Sequence, residues 1–212
     1  MRTVLCFGDS NTHGTCAMRF VGDRRRLPKQ ERWCEVMARD LAPDWDVIAE
    51  GHPGRTAVFA DPIEGSHKNG QLALPVLLES HRPLDLVIVM LGTNDLKARF
   101  GVAASDVALG IERLVMDILR SDASPEGKPP QVLVAAPATA LETGIFTDVF
   151  AGAQAKSQAL PGLLEEVAAR QGAVFWDAGR VAQVDPVDGI HLDAAAHAAI
   201  GTALAAKIRA EF

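Results

Sequence analysis

Five apolar runs of strand length, separated by longer segments of helical period, constrain what this chain can fold into more than any other feature. The runs are Thr3–Phe7, Asp46–Ala49, Leu84–Leu91, Gln131–Ala136 and Ala173–Asp177. Helical patterns fill Glu31–Leu41, Leu72–Ser80, Ser105–Leu119 and Gln158–Arg170 between them, and Ala194–Ala210 comes after the last. Apolar residues spaced three and four apart give a helix one buried stripe, whereas a short unbroken run suits a strand covered on both faces. Leu84–Leu91, which reads Leu-Asp-Leu-Val-Ile-Val-Met-Leu, is almost continuously apolar and so comes close to the second kind. The alternation predicts an α/β fold of three layers, α/β/α, with a five-stranded parallel sheet and right-handed crossovers.

Size and charge narrow the class further. A chain of 212 residues, 48% apolar, holds one sizeable core and is short for two, so one domain over residues 1–212 is expected. There is no linker, repeat or low-complexity segment. The net charge is −6, and the densest basic cluster, Arg24–Arg26, is short and adjoins Asp23. Nucleic acid is therefore not an expected partner. The first apolar run breaks at Gly8 and Asp9, too early for a secretion signal, and no apolar stretch reaches membrane-spanning length. Cys6, Cys16 and Cys34 show no Cys-x-x-Cys spacing. The expectation is a cytoplasmic protein with no membrane partner.

In open parallel sheets, ligands bind outside the carboxyl ends of the strands. Strand one ends in Cys6-Phe7-Gly8-Asp9-Ser10-Asn11-Thr12, which places the Ser10 hydroxyl at that edge. A serine needs a positioned base to become a nucleophile. Asp188-Gly189-Ile190-His191, after the last strand, offers one, because an Asp three residues before a His can accept one ring N–H and leave the other nitrogen free. Taken singly, Ser10 could equally cap a helix, and Asp188 with His191 could form a surface turn. A non-catalytic α/β binding module thus stands beside a serine hydrolase. Two long connections, Arg55–Gly70 and Pro137–Phe150, also open on this edge, and such loops are often functional.

Four segments in order resemble the blocks of the SGNH hydrolases, also called GDSL-type esterases. Gly8-Asp9-Ser10 resembles the nucleophile block, Gly51-His52-Pro53-Gly54 the glycine block, Gly92-Thr93-Asn94-Asp95 the asparagine block and Asp188-Gly189-Ile190-His191 the Asp-x-x-His block. The resemblance implies a flavodoxin-like sheet, a catalytic Ser10–Asp188–His191 triad and an oxyanion hole made by the N–H groups of Ser10 and Gly54 and the side chain of Asn94. It implies no metal and no organic cofactor. Within the family the chain looks most like compact bacterial arylesterases and acetylesterases, from Cys6-Phe7-Gly8-Asp9-Ser10, Met90-Leu91-Gly92-Thr93-Asn94-Asp95 and Val187-Asp188-Gly189-Ile190-His191. That likeness implies a small-molecule ester of a short acyl group, hydrolysis or transfer of that group, and a homo-oligomer. A longer-chain lipase is the alternative within the family, supported only by the apolar Leu141–Phe150 segment.

Two positions depart from the pattern: Asn11 stands where the family has Leu, and Glu50 where it has Asn. Asp9 is expected to bond backbone at the strand end, and Asp95 to cap the segment after the third strand. His13, His52 and His67 read as loop or substrate-contact residues, His81 and His197 as ordinary helix positions, and Trp33, Trp45 and Trp176 as packing residues. A Gly-x-Ser-x-Gly elbow is absent, which argues against the ordinary α/β-hydrolase fold.

Overall fold

Strand β1 (Arg2–Gly8) serves two cores at once. In the computed structural model, which describes residues 1–212, Val4 and Cys6 face one layer of helices and Leu5 and Phe7 the other. Period-two alternation puts successive side chains on opposite faces, so a strand buried on both needs an unbroken apolar run. The same division holds in β3 (Leu86–Met90), where Leu86, Ile88 and Met90 face one way and Val87 and Val89 the other.

With β2 (Trp45–Gly51), β4 (Gln131–Ala136) and β5 (Val174–Asp177), these strands form one parallel sheet in the order β2-β1-β3-β4-β5. Helices α2 (Trp33–Leu41) and α6 (Ala194–Glu211) cover one face. Helices α3 (Gly70–His81), α4 (Ala104–Leu119) and α5 (Ala153–Gln171) cover the other. The α6 backbone approaches α2 closely at Gly201, where a Cβ would stand 2.6 Å from the Trp33 carbonyl oxygen. His197 is fully buried beside it, and its Nδ1 accepts the Trp33 N–H at 3.1 Å. It thus satisfies one of the free donors at the start of α2, a more specific role than an ordinary helix position. No helix is long and apolar enough to cross a membrane.

Strand and helix bounds differ from the sequence expectation by a few residues, with two larger differences. Helix α5 starts at Ala153, not Gln158, because its first two turns bury only the small residues Ala153 and Ser157 and so present no apolar stripe. A four-residue helix, α1 (Ser10–His13), comes directly after β1 and is too short to show any period. The strand order reverses between β1 and β3, and Gly8 pairs with Met90 at that switch point. A crevice opens there, at the carboxyl ends of the two strands.

Candidate active site

Ser10 is the first residue of α1, two positions beyond the end of β1. A Cβ on Gly8 would collide with the Thr12 side chain, so only glycine lets this turn fold back on the strand. Asp9 caps α1: its Oδ1 accepts the Asn11 N–H at 2.9 Å. Its Oδ2 accepts the side-chain amide of Asn94 at 3.2 Å. Burial raises the Asp9 carboxyl above the ordinary aspartate range, against the lowering pull of the Asn11 N–H and of the charges on His191 and Arg55.

The segment after β5 turns sharply at Gly189, with φ of +74°, and brings Asp188 back onto His191. The Asp188 Oδ1 accepts the backbone N–H groups of Ile190 and His191, both at 3.0 Å. Its Oδ2 lies 2.6 Å from His191 Nδ1 and also accepts the Met18 N–H at 2.7 Å. Burial alone would raise this carboxyl, but the His191 bond and charge, with the backbone donors, hold it below the usual range. An ionised carboxylate can only accept, so the shared proton belongs to Nδ1 and the neutral ring keeps Nε2 free of one.

Ser10, Gly54, Asn94 and His191 line one cavity of about 300 Å³. Asp188, fully buried, stands behind His191 and outside that lining. No hydrogen bond joins Ser10 to His191; a hydrogen bond between a reacting group and its base is often long until substrate is held. One wall is apolar, with Phe146, Val149 and Phe150 from the connection after β4 and Met18 and Ile190 beside them. The rest of the lining includes a charged wall, with Glu64, Lys68, Lys97 and Arg99. Behind it, fully buried Asp61 meets Lys97 Nζ at 3.3 Å and Arg99 Nη1 at 3.1 Å, and Glu64 Oε1 meets Lys97 Nζ at 2.5 Å. Burial opposes ionisation of Asp61, yet the Glu64 and Ile63 N–H groups and Lys97 lower its carboxyl to about 2.

The charged wall escaped sequence reasoning, since its residues belong to no catalytic pattern. The available signals were the length of the Arg55–Gly70 connection, which carries Asp61, Glu64 and Lys68, and the closeness of Lys97 and Arg99 to Asn94. Asp95 differs from expectation: it caps nothing, and its two oxygens accept the Ala57 N–H at 2.9 and 3.1 Å. It ties the loop after β2 to the turn that follows β3, and burial pushes its carboxyl up to about 7. Glu50 hydrogen-bonds His81 on α3 at 2.9 Å. His13, His52 and His67 do not line the cavity; the His52 and His67 rings meet edge to face at 5.6 Å.

A parallel sheet in this order, with a serine after its first strand and an Asp–His pair after its last, both at one crevice, defines the SGNH class of carboxylic ester hydrolases. The chain belongs to the GDSL-like lipase/acylhydrolase family, whose model matches residues 6–199. Among solved structures, the carbohydrate acetylesterase Est24 of Sinorhizobium meliloti is similar at 38% identity and a TM-score of 0.95, over 100% of both chains. The aryl esterase of M. smegmatis is similar at 37% identity and a TM-score of 0.95, again over 100% of both chains. A lipase/acylhydrolase from Enterococcus faecalis, at 20% identity and a TM-score of 0.68 over 99% of this chain and 96% of its own, shares the fold. A comparison with curated proteins gives no match.

Proposed function

We propose that the protein is a serine esterase that removes short acyl groups, acetyl foremost, from aryl, alkyl or carbohydrate alcohols through an acyl-enzyme on Ser10. The observation that carries this reading is the Asp188–His191 pair, bonded at 2.6 Å, with its ring facing the cavity that Ser10 also lines. In the proposed cycle His191 Nε2 takes the Ser10 proton as Oγ attacks the ester carbonyl, and Asp188 stabilises the charged ring. The N–H groups of Ser10 and Gly54 and the Asn94 amide receive the developing oxyanion. The imidazolium returns the proton to the departing alcohol, and water or a second alcohol then attacks the acyl-enzyme by the reverse route.

Short acyl chains are favoured because the cavity is small and Phe146 and Phe150 pack edge to face in its apolar wall, 6.1 Å apart. The similar Est24 and M. smegmatis proteins, described as an acetylesterase and an aryl esterase, support the same choice. The test is a series of nitrophenyl esters of rising chain length, with acetylated sugars beside them. The reading requires kcat/KM to be highest for the shortest chains. A maximum at octanoate or beyond would replace it with the long-chain lipase alternative.

A further inference from the structure

Lys68 lines the cavity and makes no ion pair there. Its Nζ donates to the Pro53 carbonyl at 2.9 Å and lies 3.4 Å from His52 Nε2. An ammonium has no acceptor, so the His52 ring accepts and is neutral. Burial first, and the Lys68 charge second, lower His52 to about 4, in keeping with that state.

The carbonyl that Lys68 holds belongs to the central peptide of a tight turn. The Arg55 N–H donates to the His52 carbonyl at 3.0 Å, and Gly54, third in the turn, has φ of +81°. These features make it a type II turn with Pro and Gly in the middle. A type I turn closes with the same hydrogen bond but has its central peptide turned over, and a Pro-Gly pair is compatible with both. The Pro53–Gly54 peptide is trans, so its carbonyl and its N–H point in opposite directions. Whatever fixes the Pro53 oxygen therefore aims the Gly54 N–H. That N–H has no acceptor within the protein, and Gly54 shares the cavity lining with Ser10 and Asn94.

We propose that Lys68 is a positioning residue: by holding the Pro53 carbonyl it keeps the turn in its type II form and the Gly54 N–H directed at the substrate's carbonyl oxygen. This rests on the acyl-enzyme reading above. Without the clamp, the turned-over peptide presents a carbonyl oxygen where a donor is needed, which repels the oxyanion.

The test compares Lys68→Met, which keeps the aliphatic stem and loses the donors, with Lys68→Arg, which keeps a donor. On a short aryl ester, Lys68→Met is expected to lower kcat by about tenfold or more with KM nearly unchanged, as for partial loss of one oxyanion donor. Its affinity for an alkylboronic acid, which forms a tetrahedral adduct on the serine, falls by a similar factor. Lys68→Arg restores most of both losses, which a change in overall stability would not produce. Wild-type kcat in Lys68→Met overturns the proposal, as does a rise in KM at constant kcat, the mark of a direct substrate contact. Either result with Ser10→Ala inactive would sink the clamp alone, whereas an active Ser10→Ala would sink the acyl-enzyme reading itself.

Discussion

Asn11 brackets His191: its side-chain nitrogen donates to the carbonyl just before the histidine, on Ile190, at 3.0 Å, and its oxygen accepts the N–H just after it, on Leu192, at 3.1 Å. The helix turn that begins with Ser10 is thereby bolted to the segment that carries His191, across most of the length of the chain. Leucine, usual at this position in the family, could make neither bond.

Asn11→Leu should therefore leave two buried backbone groups without partners. The expected cost is about 1–3 kcal/mol for such an unpaired group, seen as a lower melting temperature, together with a fall in kcat as the register of Ser10 and His191 loosens. Thermal unfolding and kinetics of the one variant check both. An unchanged melting temperature would show that the bracket contributes nothing.

Asn94 is buried and donates to the Asp9 carboxylate, so it is more than a turn residue. Asn94→Ala should lower kcat by about a hundred- to a thousandfold with little change in KM, the signature of a donor used in the transition state. Asn94→Asp should be worse for stability as well, because it sets a second buried carboxyl beside Asp9, and the two cannot both ionise cheaply. A stable and active Asn94→Asp protein would remove Asn94 from the oxyanion site.

The layered sheet was legible because the inner strands β1, β3 and β4 carry apolar runs that are buried on both faces, and helices such as α2 and α4 show one buried stripe. Ser10 was placed by the same pattern, two residues beyond β1, and Asp188–His191 by their spacing in the segment after β5, whereas the role of Asn94 rested on the resemblance of Gly92-Thr93-Asn94-Asp95 to the family's asparagine block. Helix α1 and the first turns of α5 were not legible: one is shorter than a helical period, and the other buries only Ala153 and Ser157. Nor was the charged wall, because Asp61, Glu64, Lys97 and Arg99 are brought together by loop closure between distant segments. The role of Asp95 was hidden for a related reason: its partner, Ala57, lies 38 residues away in another loop.

Asp95 should also shape the pH dependence of stability. Its carboxyl rises from 3.8 to about 7 on folding, chiefly by burial. Between those values the folded chain keeps a proton that the unfolded chain has released, so this group makes stability fall as the pH rises from about 4 to about 7. Asp95→Asn, which keeps an oxygen for the Ala57 N–H, should remove that contribution. The melting temperature of the variant, measured against the wild type from pH 4 to 8, should gain steadily on it as the pH rises. Parallel curves would contradict the assignment.

The acyl-enzyme on Ser10 is tested most directly by intact-protein mass measurement after treatment with a fluorophosphonate, with peptide mapping of the product. Attack by an activated serine forms the Ser10 Oγ–phosphorus bond and expels fluoride, adding one phosphonyl group per chain. The account predicts a single adduct at Ser10, formed quickly by the wild type, slowly by His191→Ala and not at all by Ser10→Ala, with ester turnover lost in parallel. An adduct on another residue, or a Ser10→Ala protein that still hydrolyses short esters at the wild-type rate, would contradict it.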